Sequence, residues 1–243
     1  MNAKRAKQVD KERESRLTGK AYLFIKEAII NYHLKPGAAL GLNTLATTLK
    51  MSQTPIREAL IRLEQEQFIH RRGKKGFTVA AFTLDQIREL YDLRVVLETA
   101  AIRWAAEKSD RSHHKKIEKT LVQTDKSLKS GTRKGILNRE HHFHALILQA
   151  GSNDPLWRMG RVILDRVRLI QNLNLLTSDR LNQAHEQHRG VYEALKNQDP
   201  ESAVGLMEHH LNEARDYLLS RLENENDILS LLLSDLSEAE VKS

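Results

Sequence analysis

Glu140 and His144 stand four residues apart in the 243-residue chain. On a helix that spacing puts a carboxylate oxygen and an imidazole nitrogen on one face, where they can share a metal ion. His188 lies on a later segment of helical pattern and His210 on the last one. Ligands projecting inward from facing helices are the way helical bundles build metal sites. A second set of residues suits different chemistry: Ser52, Gln53 and Thr54 are followed one turn on by Arg57. At the start of a helix these side chains share a face that can reach phosphates or base edges in a major groove. Gln53 can pair with adenine and Arg57 with guanine, each good pair contributing roughly 1–3 kcal/mol of discrimination.

The elements around the second set have a recognisable order. Tyr22, Ile25, Ile29 and Ile30 recur at helical spacing between Leu17 and Tyr32, and Lys35-Pro36-Gly37 ends the segment. Ala38-Ala39-Leu40 reads as a short strand. Asn43 is expected to cap a helix over 44–49, and Ser52 one running to about Gln67, with Pro55 tolerated in its first turn. Two short helices joined by a brief turn form a helix-turn-helix, whose second helix enters the groove. Phe68 to Ala80 then reads as a β-hairpin wing, its turn holding Gly73 and Gly76 and its tip Arg71, Arg72, Lys74 and Lys75.

From Thr83 onward the pattern is wholly helical. Segments are expected to about Glu107 and then over about 110–129, 133–150, 154–176, 179–197 and 200–226, with Thr83 capping the first. Six helices without convincing strands make a bundle. The fold class is therefore mainly α: an N-terminal winged helix-turn-helix with a small β-wing, and a C-terminal all-helical bundle. The boundaries read as a basic arm over 1–16, the winged module over 17–81, the helical domain over 82–226 and a tail over 227–243.

Charge follows the same division. Residues 1–80 hold 16 Lys and Arg against 7 Asp and Glu, the rest 23 against 25, an asymmetry suited to a phosphate-neutralising module joined to one that does not meet phosphate. The chain has no Cys, which excludes disulfides and thiolate metal sites. No apolar run approaches the length of a membrane span, and the basic start leads into Asp10, Glu12 and Glu14 rather than an apolar segment, so a soluble cytoplasmic protein is expected.

Tyr22…Ile25…Ile29, Lys35-Pro36-Gly37-Ala38-Ala39-Leu40, Leu45-Ala46, the run from Met51 to Glu64 and the Gly73/Gly76 wing resemble the GntR family of bacterial transcription regulators. The resemblance implies DNA contacts at Ser52, Gln53, Arg57, Arg72 and Gly73. The family usually carries Arg where this chain has Gln53, which implies a different operator sequence. Leu90 to Arg94 with Leu97-Glu98, Phe143-His144, Ala150 to Asn153, His188 with Ala194-Leu195, and Met207 with His210-Leu211 resemble the FCD ligand-binding domain of the FadR-type subfamily. That likeness implies a metal held by Glu140, His144, His188 and His210, with Glu140 in place of the more usual Asp. Three imidazoles and a carboxylate fit Zn, with Ni or Mn as alternatives.

The same resemblance implies a homodimer on double-stranded operator DNA, repression as the commoner mode, and a small organic-acid effector. The effector's carboxylate would meet the metal and a second grip at Arg94, whose planar fork suits carboxylates; the alternative role for Arg94 is a salt bridge to Glu98. His113, His114, His141, His142, His185 and His209 are expected at the surface, with His185 the one that could replace His188. No His-Glu-x-x-His motif is present and no general base stands out near the ligands, which argues against a metalloenzyme.

Overall fold

The computed structural model describes residues 2–73, 76–108, 111–130, 132–173 and 176–224. Lys74 and Lys75 of the wing tip and the expected tail over 227–243 lie outside the described residues. The described chain falls into two compact units, one ending at Phe82 and the other beginning at Thr83.

The first unit contains α1 (Asn2–Ile30), β1 (Ala39–Leu40), α2 (Leu42–Leu49), α3 (Gln53–Gln65), β2 (Ile69–Arg71) and β3 (Phe77–Val79). Helical backbone already begins at Asn2 rather than Leu17, so the segment expected as a separate basic arm continues into the first helix. α2 starts at Leu42 with Gly41 at its N-cap, not at Asn43. Asn43 instead lies inside the helix and accepts a hydrogen bond from Gln53 Nε2 at 2.6 Å. α2 stops because Lys50 adopts a left-handed conformation, φ 51°, with its N–H returned to Ala46 and Thr47 carbonyls. This closes the turn that sets α3 against α2.

Ile56, Ala59, Leu60 and Leu63 of α3 are fully buried, as are Ile25 and Ile29 of α1. This burial is the main force holding the module together. Beside it, the buried Lys26 ammonium sits 2.8 Å from Glu66 Oε2, and Tyr22 donates to the same oxygen at 2.6 Å. The three strands form an antiparallel sheet in the order β1-β3-β2, with Leu40 opposite Phe77 and Arg71 opposite Phe77 on the other side. Gly76 has φ 100°, a left-handed conformation for which the wing turn favours glycine.

The second unit comprises α4 (Leu84–Lys108), α5 (Arg111–Ser130), α6 (Arg133–Ala150), α7 (Asp154–Gln171), α8 (Ser178–Lys196) and α9 (Pro200–Asn224). Thr83 caps α4 reciprocally: its Oγ1 accepts from Gln86 N while Gln86 Oε1 accepts from Thr83 N, both at 3.1 Å. Thr132, Asn153 and Thr177 cap α6, α7 and α8. α7 ends at Gln171, short of the expected 176, and Thr177 starts α8. α4 packs against α6, α7, α8 and α9. α6 buries an almost continuous run from Phe143 to Leu148 as well as Glu140. It therefore runs through the bundle rather than along its surface, which brings its polar residues into the interior.

Candidate functional site

Glu140 and His144 face inward from α6, His188 from α8 and His210 from α9, all buried. Phe143, on the same helix, stacks on the His188 ring with centroids 3.9 Å apart. The three imidazoles bring one ligand atom each within 4.8 Å of the others. Nε2 of His210 lies 3.0 Å from Nε2 of His188 and 3.4 Å from Nε2 of His144.

The outer nitrogens decide what those inner ones carry. Nδ1 of His144 is 2.5 Å from Glu98 Oε2. Arg94 Nε holds the other oxygen of Glu98 at 2.8 Å. Burial alone would raise the Glu98 carboxyl, but Arg94 and His144 outweigh it and hold the group well below its ordinary value. Glu98 is thus an anion and His144 must donate from Nδ1, leaving its lone pair on Nε2. Nδ1 of His210 is 2.8 Å from Gln187 Oε1. The amide is fixed in that sense because its Nε2 donates to the Glu213 carboxylate. Nδ1 of His188 faces Glu140 Oε2 at 3.5 Å.

Burial pushes His144 down to about 4 against the pull of Glu98. Burial, with His188 and His144 adding to it, holds His210 well below its ordinary value. Both rings are neutral near pH 7, so the lone pairs of His144 and His210 face each other across 3.4 Å. Such an arrangement is repulsive unless an N–H, such as that of His188 Nε2 at 3.0 Å from His210 Nε2, or a cation answers the lone pairs. Glu140 Oε1 is buried and has no hydrogen-bond partner among the described residues. The three converging imidazoles, two of them held by their outer nitrogens, suit a divalent metal ion, whereas Glu140 is not among the residues whose ligand atoms converge within 4.8 Å.

A cavity opens beside this cluster. Glu140, His144 and His210 form part of its wall together with Tyr91, Arg94, Gln171 and Arg180, and Leu137, Leu176 and Leu181 supply an apolar side. Arg94 lines the cavity and also forms the ion pair with Glu98, the arrangement that its four-residue spacing offered as an alternative.

His185, expected at the surface, is fully buried, with Nε2 2.7 Å from Asp125 Oδ1. It shares the inward face of α8 with His188, three residues on, which is why it is buried. His142 and His209 are exposed, and His113, His114 and His141 are half-buried. Sequence reasoning did not single out Gln187, Arg180 or Asp125 because a polar residue within a helical pattern shows no sign of its partner on another helix. Glu98 was visible through its spacing from Arg94, though not its contact with His144.

In the first unit, Ser52, Gln53, Thr54 and Arg57 are all exposed at the N-terminal end of α3. Ser52 occupies the N-cap position but makes no side-chain capping bond. Its hydroxyl is therefore not spent on the first N–H groups of α3, and an uncapped helix N-terminus suits an anion. In the wing, Arg72 N donates to Gly76 O at 2.9 Å and Gly73 has φ 52°. Arg71 lies back against Glu64 of α3 at 3.2 Å rather than standing free at the tip.

The description of bacterial regulatory proteins of the gntR family matches residues 17–79, and that of the FCD domain matches residues 89–213. The uncharacterized HTH-type transcriptional regulator YdhC of Bacillus subtilis (strain 168) is 27% identical over 203 residues, 83% of this chain and 91% of that protein. A probable D-xylose utilization operon transcriptional repressor of Paenarthrobacter nicotinovorans is 29% identical over 189 residues, 77% and 82% of the two chains. The solved structure of E. coli McbR/YncC shares the fold with a TM-score of 0.74 at 24% identity, covering 84% of this chain and 98% of that one. No helix among the described residues is long and apolar enough to cross a membrane. With a gntR-type helix-turn-helix followed by an FCD domain, the chain belongs to the GntR family of bacterial transcriptional regulators and is not an enzyme.

Proposed function

We propose that the chain is a cytoplasmic, homodimeric operator-binding repressor whose DNA affinity is set by a small organic acid bound at a divalent metal centre. The observation that carries this reading is the convergence of the three Nε2 atoms of His144, His188 and His210 beside a cavity that also bears arginine. Glu140 completes the ligand set through its unpartnered Oε1, and the donor types favour Zn over Ni or Mn. When bound, the metal supplies exchangeable positions for an effector's carboxylate.

The chain's own residues do the rest. Glu98 and Gln187 hold His144 and His210 by their outer nitrogens, Glu140 Oε2 lies 3.5 Å from Nδ1 of His188, and Arg94 keeps Glu98 charged. Ser52, Gln53, Thr54, Arg57, Arg72 and Gly73 make the DNA contacts, a pair of modules gripping two half-sites. Leu93 and Val96 of α4 and Met159 of α7 expose large apolar side chains, and α4 packs on α7. Exposed large apolar side chains of this kind support burial against a second copy. Repression by occupying the operator accords with the repressor named among the relatives.

Elemental analysis of purified protein, thermal melts with and without chelator, and operator titrations with a panel of small acids test the reading together. About one metal per chain, stabilised melts and an acid-dependent, chelator-sensitive change in operator affinity are expected. Metal with no acid effect on DNA binding would make the centre structural, and absence of metal would remove the site.

A further inference from the structure

We propose that Arg180 is the anion anchor of the cavity and that the effector it selects is a dicarboxylate rather than a monocarboxylate. The inference rests on the metal-centred reading above and goes beyond it, because that reading assigns the second grip to Arg94.

The two buried arginines of the cavity differ in one decisive respect. Arg94 is tied to Glu98 at 2.8 Å, both side chains being almost fully buried, so its charge is already answered. Arg180, in the first turn of α8, is only 5% exposed. Among the described residues no carboxylate lies within 4.0 Å of it. Its guanidinium makes a single long hydrogen bond, 3.4 Å to Gln187 Oε1, and faces the Tyr217 ring at 5.8 Å. Gln187 Oε1 is already taken at 2.8 Å by His210. A guanidinium has five N–H donors; those of Arg180 left over border the cavity rather than being sealed in the core, and a charge with no anion beside it in a largely buried site is costly. Such a group persists where a ligand supplies the anion, and the planar fork of arginine matches a carboxylate in two parallel bonds.

Charge balance gives the class of that ligand. Arg94 and Glu98 cancel as a pair. Arg180 and Glu140 cancel in sum though they are not in contact, so a divalent ion leaves this wall with two positive charges to be met. A dianion meets both, with one carboxylate at the metal and the other at Arg180. Leu137, Leu176 and Leu181 give an apolar side for a short aliphatic spacer between them.

The test uses full-length, zinc-loaded protein and calorimetric titration with acetate and with the dicarboxylates from malonate to adipate, on wild type and Arg180→Gln. Metal content should be unchanged in the variant, because no ligand to the ion is altered. The best dicarboxylate should bind at least about tenfold more weakly to it, the loss expected for a charge-assisted hydrogen-bonded pair, while acetate changes little. The ligand-free variant should melt no lower than wild type, since an unanswered buried charge has been removed; an arginine with only a structural role would lower it. Should Arg180→Gln not fold, Arg180→Lys keeps the charge without the fork and must still weaken the dicarboxylate at unchanged metal content. Equal dicarboxylate affinity in wild type and variant overturns the role of Arg180 and leaves the effector reading standing. Failure of every acid to bind wild type overturns both.

Discussion

Gln187 Oε1 lies 2.8 Å from Nδ1 of His210, and that bond determines which imidazole nitrogen offers its lone pair to the centre of the cluster. The bond holds its direction because the same amide donates to Glu213, which also receives Gln183 Nε2 at 3.0 Å. A chain of three residues from α8 and α9 thus fixes the tautomer of one ring without touching the space where an ion would sit.

Gln187→Leu should therefore weaken metal binding by roughly ten- to a hundredfold, the usual effect of losing an outer partner to a ligating histidine. Secondary structure should be unchanged, and Gln187→Glu, which restores an acceptor for His210 but sets it against the Glu213 carboxylate, should recover only part of the loss. Competition against a chromophoric chelator measures both variants. An unaltered affinity in Gln187→Leu would show that His210 is oriented by packing alone.

Arg57→Ala should abolish sequence-specific operator binding with fold and oligomeric state intact. Its side chain is exposed and makes no hydrogen bond or ion pair with the described residues, so removing it leaves nothing buried unpaired. Gln53→Ala should have a smaller effect on affinity but relax the preference at one base position. Gln53 already spends one donor on Asn43, which limits the ways it can meet a base. Fluorescence anisotropy on operator and scrambled duplexes separates the two effects.

How much of this was legible beforehand depends on whether the signal is local. The helix spacing of Leu84 to Glu98 and the Thr83 cap are local, and five of the six bundle helices end within about two residues of where periodicity put them. α7 is the exception. His144, His188 and His210 could be named because each sits on a helical pattern, but their convergence to 3.0–3.4 Å depends on how α6, α8 and α9 pack. The same packing buries His185, which composition alone would leave at the surface. Arg94 and Glu98 showed their pairing through a four-residue spacing, whereas Arg180 showed nothing, since its neighbours come from other helices.

Gly160 on α7 lies against Leu148 of α6. A Cβ there would stand 2.6 Å from Leu148 Cδ1 and 3.1 Å from Cδ2, and Leu148 is buried with little room to turn away. Gly160→Ala should destabilise the protein by about 1–3 kcal/mol through overpacking, less up to about 1 kcal/mol gained in helix propensity. Urea unfolding reads the net change. Combining Gly160→Ala with Leu148→Ala should cost clearly less than the sum of the two single changes, because each relieves the other's fault; simple additivity would show that the two helices do not meet there.

The Lys26–Glu66–Tyr22 cluster gives the DNA-binding unit a pH dependence of known sign. Burial alone would raise the Glu66 carboxyl, but hydrogen bonds from Lys26 and Tyr22 outweigh it and bring the group below its ordinary value of 4.5. A carboxyl held lower in the folded than in the unfolded chain binds fewer protons when folded. Its contribution is fully present above the unfolded value and is lost as pH falls through 4.5 toward the folded value. Glu66→Gln should therefore be less stable than wild type at pH 7, and the gap between the two should narrow progressively from about pH 5 downward. Taking the difference between the two proteins cancels the other carboxylates, which titrate in both. Denaturant unfolding of the chelator-treated pair at steps between pH 7 and pH 3.5 measures it, and a gap that stays constant across that range would mean that Glu66 is not held in its charged form by Lys26.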